Sequence, residues 1–205
     1  ANTVAGTNAG DSFTGTDAIS NTLIGYDAGT AITSGDENTA VGRDVFKANT
    51  EGLRNTAVGA YALDANTTAN DNTAVGRSAL GVNTTGHSNN SLGAYALDAN
   101  TTGVQNVAIG KNALGANTTA NNNTAIGHHS LVLNTTGYQN TGVGQGSLAA
   151  NTEGLVNTAV GAEALALNTT GDNNTALGSF ALDANTTANN NTAVGHHSLG
   201  ANTTG

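Results

Sequence analysis

The sequence predicts an all-β fold, a parallel β-solenoid (β-roll) of twelve coils that forms an elongated rod. Three observations support this prediction: a repeat of 17 residues, a composition poor in helix formers, and glycines at fixed places in the repeat. Helical repeats need about 33 residues or more and good helix formers, whereas Gly, Asn and Thr are poor ones. Seventeen residues instead suit one coil of two or three short strands joined by tight bends.

The repeat has the consensus N-T-A-V-G-x-x-A-L-x-A-N-T-T-[GA]-x-x, and we number its positions 1 to 17. The position-5 glycine recurs at every seventeenth residue from Gly25 to Gly195, and an earlier copy has its glycine at Gly6. Such a fixed short period indicates an array in which each unit stacks on its neighbours. We therefore divide the chain into residues 1–37, two irregular copies that form a partial cap or joint, and residues 38–205, the regular solenoid.

Alternation along a strand predicts which side chains face the interior. We expect the position-4 Val inside with the position-2 Thr, and the position-3 Ala outside. In the second half of the coil we expect the position-9 Leu inside and the position-8 Ala outside, where small residues would form a shallow apolar strip. The predicted core residues are Val41, Val58, Val75, Leu63, Leu80, Leu97 and Leu114.

The composition argues against several classes of function. Cysteine is absent, which excludes disulfides, thiolate metal sites and cysteine nucleophiles. Lys and Arg total five against a formal net charge of -9, so we expect no nucleic-acid partner. No run of about 18 apolar residues is present, so we expect no membrane span.

No residues have the singular placement that catalysis requires, so we expect no enzyme, no catalytic residues and no cofactor. The 14 carboxylates are scattered. Two histidine pairs, His128-His129 and His196-His197, occupy positions 6 and 7 of copies eight and twelve. Because adjacent strand residues point to opposite faces, one pair should not chelate one ion. Surface variation explains the pairs better than a metal site formed on oligomerisation.

The Asn-Thr-Thr element at positions 12 to 14 has two interpretations. It is either an Asn ladder at a bend, with amides bonded from coil to coil, or a row of N-linked glycosylation sites. The glycan interpretation predicts one sugar per coil in a stripe along the rod. Columns of threonine also suggest an ice-binding protein, but positions 13 and 14 are neighbours, so only one of the two threonines can face outward. The candidate glycosylation sites are Asn66, Asn83, Asn100, Asn117, Asn134, Asn168, Asn185 and Asn202.

The element N-T-A-[VI]-G, followed by two variable residues and a small one, resembles the N-S-x-A-[VI]-G repeat in head domains of trimeric autotransporter adhesins. Arrays of the form NTAVG…ALxANTTG also resemble those of phage tail-fibre and bacterial surface proteins. The resemblance covers Asn21 to Gly205 and implies a left-handed parallel β-roll that trimerises. The unit here is longer, with an added N-T-T segment.

From the repeat we expect a non-enzymatic structural subunit of an extracellular fibre or filament, at a cell or virion surface. Its partners would be further copies of itself, stacked head to tail or as a homotrimer, together with covalent glycans. Head-to-tail growth is expected because the last copy, Asn191 to Gly205, follows the consensus throughout. The alternative is a receptor-binding trimeric adhesin or phage tail fibre that recognises its receptor through variable positions 6, 7, 16 and 17. An ice-binding protein is a third and weaker hypothesis.

Overall fold

The computed structural model describes residues 1–13 and 17–203, and over these residues the protein is an all-β solenoid without a helix. Residues 14–16 of the irregular first segment and residues 204–205 of the last copy lie outside the described residues. Each copy forms one coil with one short strand at positions 2 to 4. The twelve strands found in these residues are β1 Thr3–Ala5, β2 Thr22–Ile24, β3 Thr39–Val41, β4 Thr56–Val58, β5 Thr73–Val75, β6 Asn90–Leu92, β7 Val107–Ile109, β8 Thr124–Ile126, β9 Thr141–Val143, β10 Thr158–Val160, β11 Thr175–Leu177 and β12 Thr192–Val194.

All of these strands lie in one parallel sheet, in chain order from β1 to β12. From β2 onward the register follows the repeat, so that Val41 of β3 lies beside Val58 of β4. The prediction of a parallel β-solenoid with a 17-residue coil is therefore confirmed. At about 4.8 Å between strands, the sheet is about 53 Å long from β1 to β12.

Hydrogen bonds join neighbouring coils at several places around each coil, although only one of them is a strand. At the strand, the amide of Thr56 donates to the carbonyl of Asn72 (2.8 Å). At position 9, the amide of Leu80 donates to the carbonyl of Ala96 in the next coil (3.1 Å). At position 13, the amide of Thr84 donates to the carbonyl of Thr101 (3.0 Å). Backbone groups that the turns leave unpaired are thus satisfied by the next coil.

The coil turns where its backbone enters the left-handed region. Positions 7, 9 and 17 have positive φ, as at Tyr61 (62°), Leu63 (49°) and Asp71 (60°). Leucine rarely adopts this conformation, so packing must impose it at position 9. The two left-handed residues interrupt strand alternation, and as a result Ala62 and Leu63 are both buried. The prediction that the position-8 Ala lies outside was wrong for this reason.

One leucine per coil fills the interior. The predicted core leucines at position 9 have no exposed surface, and the alanines at positions 3 and 8 line the space around them. Deleting a buried leucine side chain down to alanine typically costs about 2–5 kcal/mol, so this column is the main apolar contribution of each coil. These leucines are Leu63, Leu80, Leu97 and Leu114.

The prediction that the position-4 valines line the core was wrong. Val58 is 36% exposed, and Val41 and Val75 are only half-buried. Alternation along the strand holds, but it places position 3 inside, where Ala57 and Ala74 are fully buried. The reason is volume: a narrow coil already occupied by a leucine accommodates a methyl group opposite it, and no larger side chain.

The second coil keeps the same interior with exchanged residues. Leu23 stands at position 3 and Gly29 at position 9, so the large side chain comes from the opposite wall. The Leu23 methyl carbons lie 2.8–2.9 Å from where a Cβ on Gly29 would be, which is the volume that a position-9 leucine fills elsewhere. Ile32, at position 12, is also fully buried in place of asparagine. This irregular copy therefore continues the same sheet.

Candidate functional site: the outer face of the sheet

The outer face of the sheet displays positions 2 and 4 of every strand. Position 2 is threonine in every strand except β6, which has Asn90 there, and β7, which has Val107. Position 4 carries a large aliphatic residue from β2 onward, and we call this row the aliphatic column. The aliphatic column consists of Ile24, Val41, Val58, Val75, Leu92, Ile109, Ile126, Val143, Val160, Leu177 and Val194.

The aliphatic column is accessible to solvent along its length. Leu92 is 49% exposed and Ile109 is 37% exposed, in coils that have neighbours on both sides. None of the described strands carries a charged residue at position 2 or 4. The face is a strip about 53 Å long and about 10 Å wide, or roughly 500 Å². The aliphatic column occupies about half of this width beside the threonine row, and an exposed apolar patch of a few hundred Å² often marks an interaction surface.

The position-12 asparagines form a buried ladder inside the coil. The Nδ2 of Asn83 donates to Oδ1 of Asn66 in the preceding coil (3.1 Å) and to the carbonyl of Gly86 in its own coil (2.9 Å). Asn100 repeats both bonds, to Oδ1 of Asn83 (2.8 Å) and to the carbonyl of Gly103 (3.0 Å). Each amide therefore ties two coils together, as the ladder interpretation predicts.

This ladder contradicts the glycan interpretation of the same residues. N-linked sugars attach to Nδ2, and here both hydrogens of that atom are donated to buried acceptors. A sugar on Nδ2 would break the ladder and would have no space inside the coil. Asn202, in the last coil, is half-buried rather than buried. The seven fully buried candidates are Asn66, Asn83, Asn100, Asn117, Asn134, Asn168 and Asn185.

The position-1 asparagines form a second ladder beside the strand. The backbone amide of Asn72 donates to Oδ1 of Asn55 (2.9 Å), and the Asn72 Nδ2 donates to the carbonyl of Gly86 (2.9 Å). The Gly86 carbonyl thus receives amide donors from positions 1 and 12 of its own coil. The two asparagines close each coil at one shared acceptor, which explains why position 1 is asparagine in all twelve copies.

The two threonines of the Asn-Thr-Thr element differ in exposure. The Thr84 hydroxyl at position 13 donates to the carbonyl of Thr101 (3.1 Å), and Thr84 is half-buried. Thr85 at position 14 is exposed. Only one of the two neighbours faces outward, as predicted, so they do not form the paired threonine rows of an ice-binding face.

Ion pairs cluster in the third coil. Asp44 is buried and lies 2.8 Å from Nζ of Lys47 and 3.0 Å from Nε of Arg43. The hydrogen bond from Lys47, opposed by burial and supported by Arg43, lowers the pKa of Asp44 below its ordinary value. Elsewhere on the surface Arg54 pairs with Asp71 (2.7 Å). Exposed pairs of this kind contribute little to stability.

Two position-10 aspartates have shifted pKa values for another reason. Burial raises the pKa of both Asp64 and Asp98, although hydrogen bonds from backbone amides oppose the shift. Each carboxylate lies beside a glycine at position 10 of the next coil, 3.7 Å from where a Cβ on Gly81 or Gly115 would be. An alanine at these positions would be in ordinary van der Waals contact with the carboxylate of the preceding coil.

The histidine pairs do not behave as adjacent strand residues. The rings of His128 and His129 stack at 3.8 Å, because positions 6 and 7 lie in a turn. The rings of His196 and His197 are also close, at 4.2 Å, and Phe180 stacks on His197. The expectation of opposite faces was wrong. Among residues 1–13 and 17–203, no three His, Cys, Asp or Glu side chains are grouped to hold a metal ion.

The surface of the described coils contains no cleft that would enclose a small molecule. Within the same residues no helix is long and apolar enough to cross a bilayer. The most distinctive feature is therefore the aliphatic column, which sequence reasoning placed in the core. The signal that could have located it is the small size of position 3 from β3 onward, where Gly142 and Ser91 also occur.

No family model, curated protein or solved structure matches this chain.

Proposed function

We propose that this chain is a non-enzymatic structural subunit of an extracellular fibre or filament. Its copies associate side by side through the aliphatic column and stack end to end through their coils. The observation that supports the proposal is the uncharged face of the sheet, on which large aliphatic side chains follow one another from Ile24 to Val194.

The size of this face determines how strong lateral association can be. Two such strips in contact would bury roughly 1,000 Å² in total, which is about the minimum for a specific interface. Each coil adds about 50 Å² per copy, on the order of 1 kcal/mol before the costs of association. Affinity therefore grows with the number of coils, as suits a subunit whose function depends on length.

The monotony of the array also favours a structural role. Every coil presents nearly the same face, so any coil can meet any other, and lateral contacts can form in several registers. An enzyme needs one unique set of groups, whereas a fibre needs many equivalent contacts. The Asn ladders and the backbone hydrogen bonds between coils make the rod uniform along its length.

A homotrimer around the aliphatic column is the closed form of the same proposal. The resemblance of N-T-A-[VI]-G to the head repeats of trimeric adhesins favours this form and a place at a cell or virion surface. In that case the chain would be part of an adhesin or tail fibre, and exposed variable residues at positions 6 and 7 would face outward toward a receptor.

Sedimentation velocity over a range of concentrations tests the proposal. We expect the wild-type chain to form larger species as its concentration rises. A triple variant, Val58→Lys, Ile109→Lys and Ile126→Lys, introduces three charges on the outer face and should abolish lateral association. Because these side chains are already exposed, the variant should keep its β-sheet circular-dichroism spectrum.

The control changes three aliphatic residues at position 11, away from the strand, that are more exposed than the three test residues. It should associate like the wild type. A monomeric wild-type chain at every concentration would contradict the proposal, as would assembly of the strand-face variant at the wild-type level. Electron microscopy of the assembled material separates filaments from closed trimers. The control substitutions are Val82→Lys, Leu133→Lys and Leu167→Lys.

A further inference from the structure

In coils three to seven, similar residues recur in every second coil at positions 6 to 10. The hexapeptide Ala-Tyr-Ala-Leu-Asp-Ala occurs at residues 60–65 and again at residues 94–99. Position 6 is basic in the coils before, between and after them, at Arg43, Arg77 and Lys111. Basic residues and alanines thus alternate along one line of the rod, with a tyrosine beside each alanine.

The structure brings these residues into one row, which we call the cation–aromatic column: Arg43, Tyr61, Arg77, Tyr95 and Lys111. The amide of Tyr61 donates to the carbonyl of Arg43 (3.0 Å), and the Arg43 guanidinium lies 4.9 Å from the centre of the Tyr61 ring. Tyr95 and Arg77 repeat this arrangement, at 3.0 Å and 5.6 Å. The cation–π contacts hold each guanidinium beside the next coil.

The charges of this row face solvent, although Arg43 also pairs with the neighbouring Asp44 (3.0 Å). Arg43, Arg77 and Lys111 are exposed, and among the described residues Arg77 and Lys111 have no carboxylate within ion-pair distance. All five basic residues of the chain lie between residues 43 and 111, together with five carboxylates. The other nine carboxylates lie outside this segment, so the segment has no formal net charge although the whole chain has -9.

We propose that the cation–aromatic column binds a linear acidic polysaccharide that carries an anionic group on every second sugar, lying along the rod. Its cations are two coils apart, about 9.6 Å. A sugar in an extended β-linked chain advances by about the rise of one coil, so alternate sugars meet successive cations. The uncharged sugars then lie over Ala60 and Ala94, beside tyrosines that offer an apolar ring and a phenol hydroxyl.

Single-stranded nucleic acid fits the same row less well. It carries an anion on every unit, whereas the column has a cation in every second coil. Asp44, Asp64 and Asp98 lie on the same turns and would repel the additional phosphates. Stacking of bases also needs open aromatic faces, and guanidinium groups cover one face of Tyr61 and of Tyr95.

Isothermal titration of the chain with a hyaluronan decasaccharide, at low ionic strength, tests this proposal. Hyaluronan carries one carboxylate per disaccharide. We expect binding that weakens with salt, and a loss of about 30-fold in the triple variant Arg43→Gln, Arg77→Gln and Lys111→Gln, at about threefold for each cation. The control Arg54→Gln removes a basic residue at position 17 that pairs with Asp71, and it should bind like the wild type.

The proposal is overturned if the decasaccharide does not bind, or if the triple variant binds it as tightly as the wild type. Equal binding of a neutral cello-oligosaccharide would also overturn it, as would tighter binding of single-stranded oligo-dT through the same three residues. The triple variant keeps every residue of the strand face. Loss of binding with unchanged sedimentation therefore separates this inference from self-assembly.

Discussion

Replacing Gly93 with alanine should open the solenoid between its sixth and seventh coils. Gly93 directly follows β6 and has a φ of +143°, in a region that residues with a Cβ rarely adopt. A Cβ built there would lie 2.6 Å from both the carbonyl carbon and the carbonyl oxygen of Gly110, and 3.1 Å from the amide nitrogen of Lys111. All three atoms are backbone of the next coil, so no side chain can move aside, and the two strands must separate.

The expected cost of Gly93→Ala is about 2–6 kcal/mol, from backbone strain of about 1–3 kcal/mol and a similar amount for the overlap. The matched control is Gly81→Ala at position 10, where φ is not positive and the closest atom to the new Cβ is the Ser78 carbonyl oxygen at 3.3 Å. Other coils carry alanine at this position, so the control should change stability by less than about 1 kcal/mol.

Guanidinium denaturation followed by circular dichroism gives the stability of both variants, and amide hydrogen exchange locates the change. Because each coil contacts only its neighbours, protection in Gly93→Ala should fall first in coils six and seven and persist in distant coils. If the two glycine variants unfold at the same denaturant concentration, the predicted overlap between a Cβ on Gly93 and the Gly110 backbone does not lower stability, and the reasoning is wrong. Uniform loss of protection would instead mean that the array unfolds as one unit.

Three further predictions concern the interior and the charges. Ala74→Val should overpack the coil by about 1–3 kcal/mol, whereas Val75→Ala should cost less than about 1 kcal/mol, and a thermal melt that reverses this order contradicts the assignment of faces. Asn100→Ala should cost about 2–4 kcal/mol because the buried Oδ1 of Asn83 loses its donor and the Nδ2 of Asn117 loses an acceptor, whereas the exposed Thr85→Ala should be neutral in the same melt. Burial raises the pKa of Asp64 above 3.8, so the folded chain binds that proton more tightly and stability rises as pH falls through the window above 3.8. Asp64→Asn should therefore raise Tm at pH 7 and reduce this gain on acidification, and an unchanged pH dependence would argue against the burial effect.

The period of the sequence was sufficient to predict the architecture, because a rigid 17-residue spacing without proline or long apolar runs leaves few folds that stack. It was sufficient for the leucine column as well, since one large residue per coil must be buried. It was not sufficient for the strand faces, because alternation fixes which residues share a face but not which face is inside. Because valine is larger and more hydrophobic than alanine, we expected Val58 to be buried and Ala57 to be exposed. The interior of the coil is too narrow for valine at this wall, so Ala57 is buried and Val58 is exposed.

The turns are the second place where sequence reasoning fell short. Leu63 and Tyr61 adopt positive φ although neither residue type favours it, so no propensity could reveal that positions 8 and 9 face the same way. The glycosylation pattern failed for a related reason. An acceptor triplet describes three adjacent residues, but whether Nδ2 of Asn83 is free depends on Asn66, which is 17 residues away.

Since each coil is bound only to the coils on either side, tension applied to the two chain ends would detach coils one at a time. A released coil of 17 residues stretches to roughly 56–61 Å, whereas it occupied about 4.8 Å of the rod, so each event lengthens the chain by about 50 Å. A single-molecule pulling trace should consequently show a series of equal steps at similar forces. Fibres built from such rods would dissipate mechanical work gradually under load and extend more than about tenfold before the covalent chain itself bears the force.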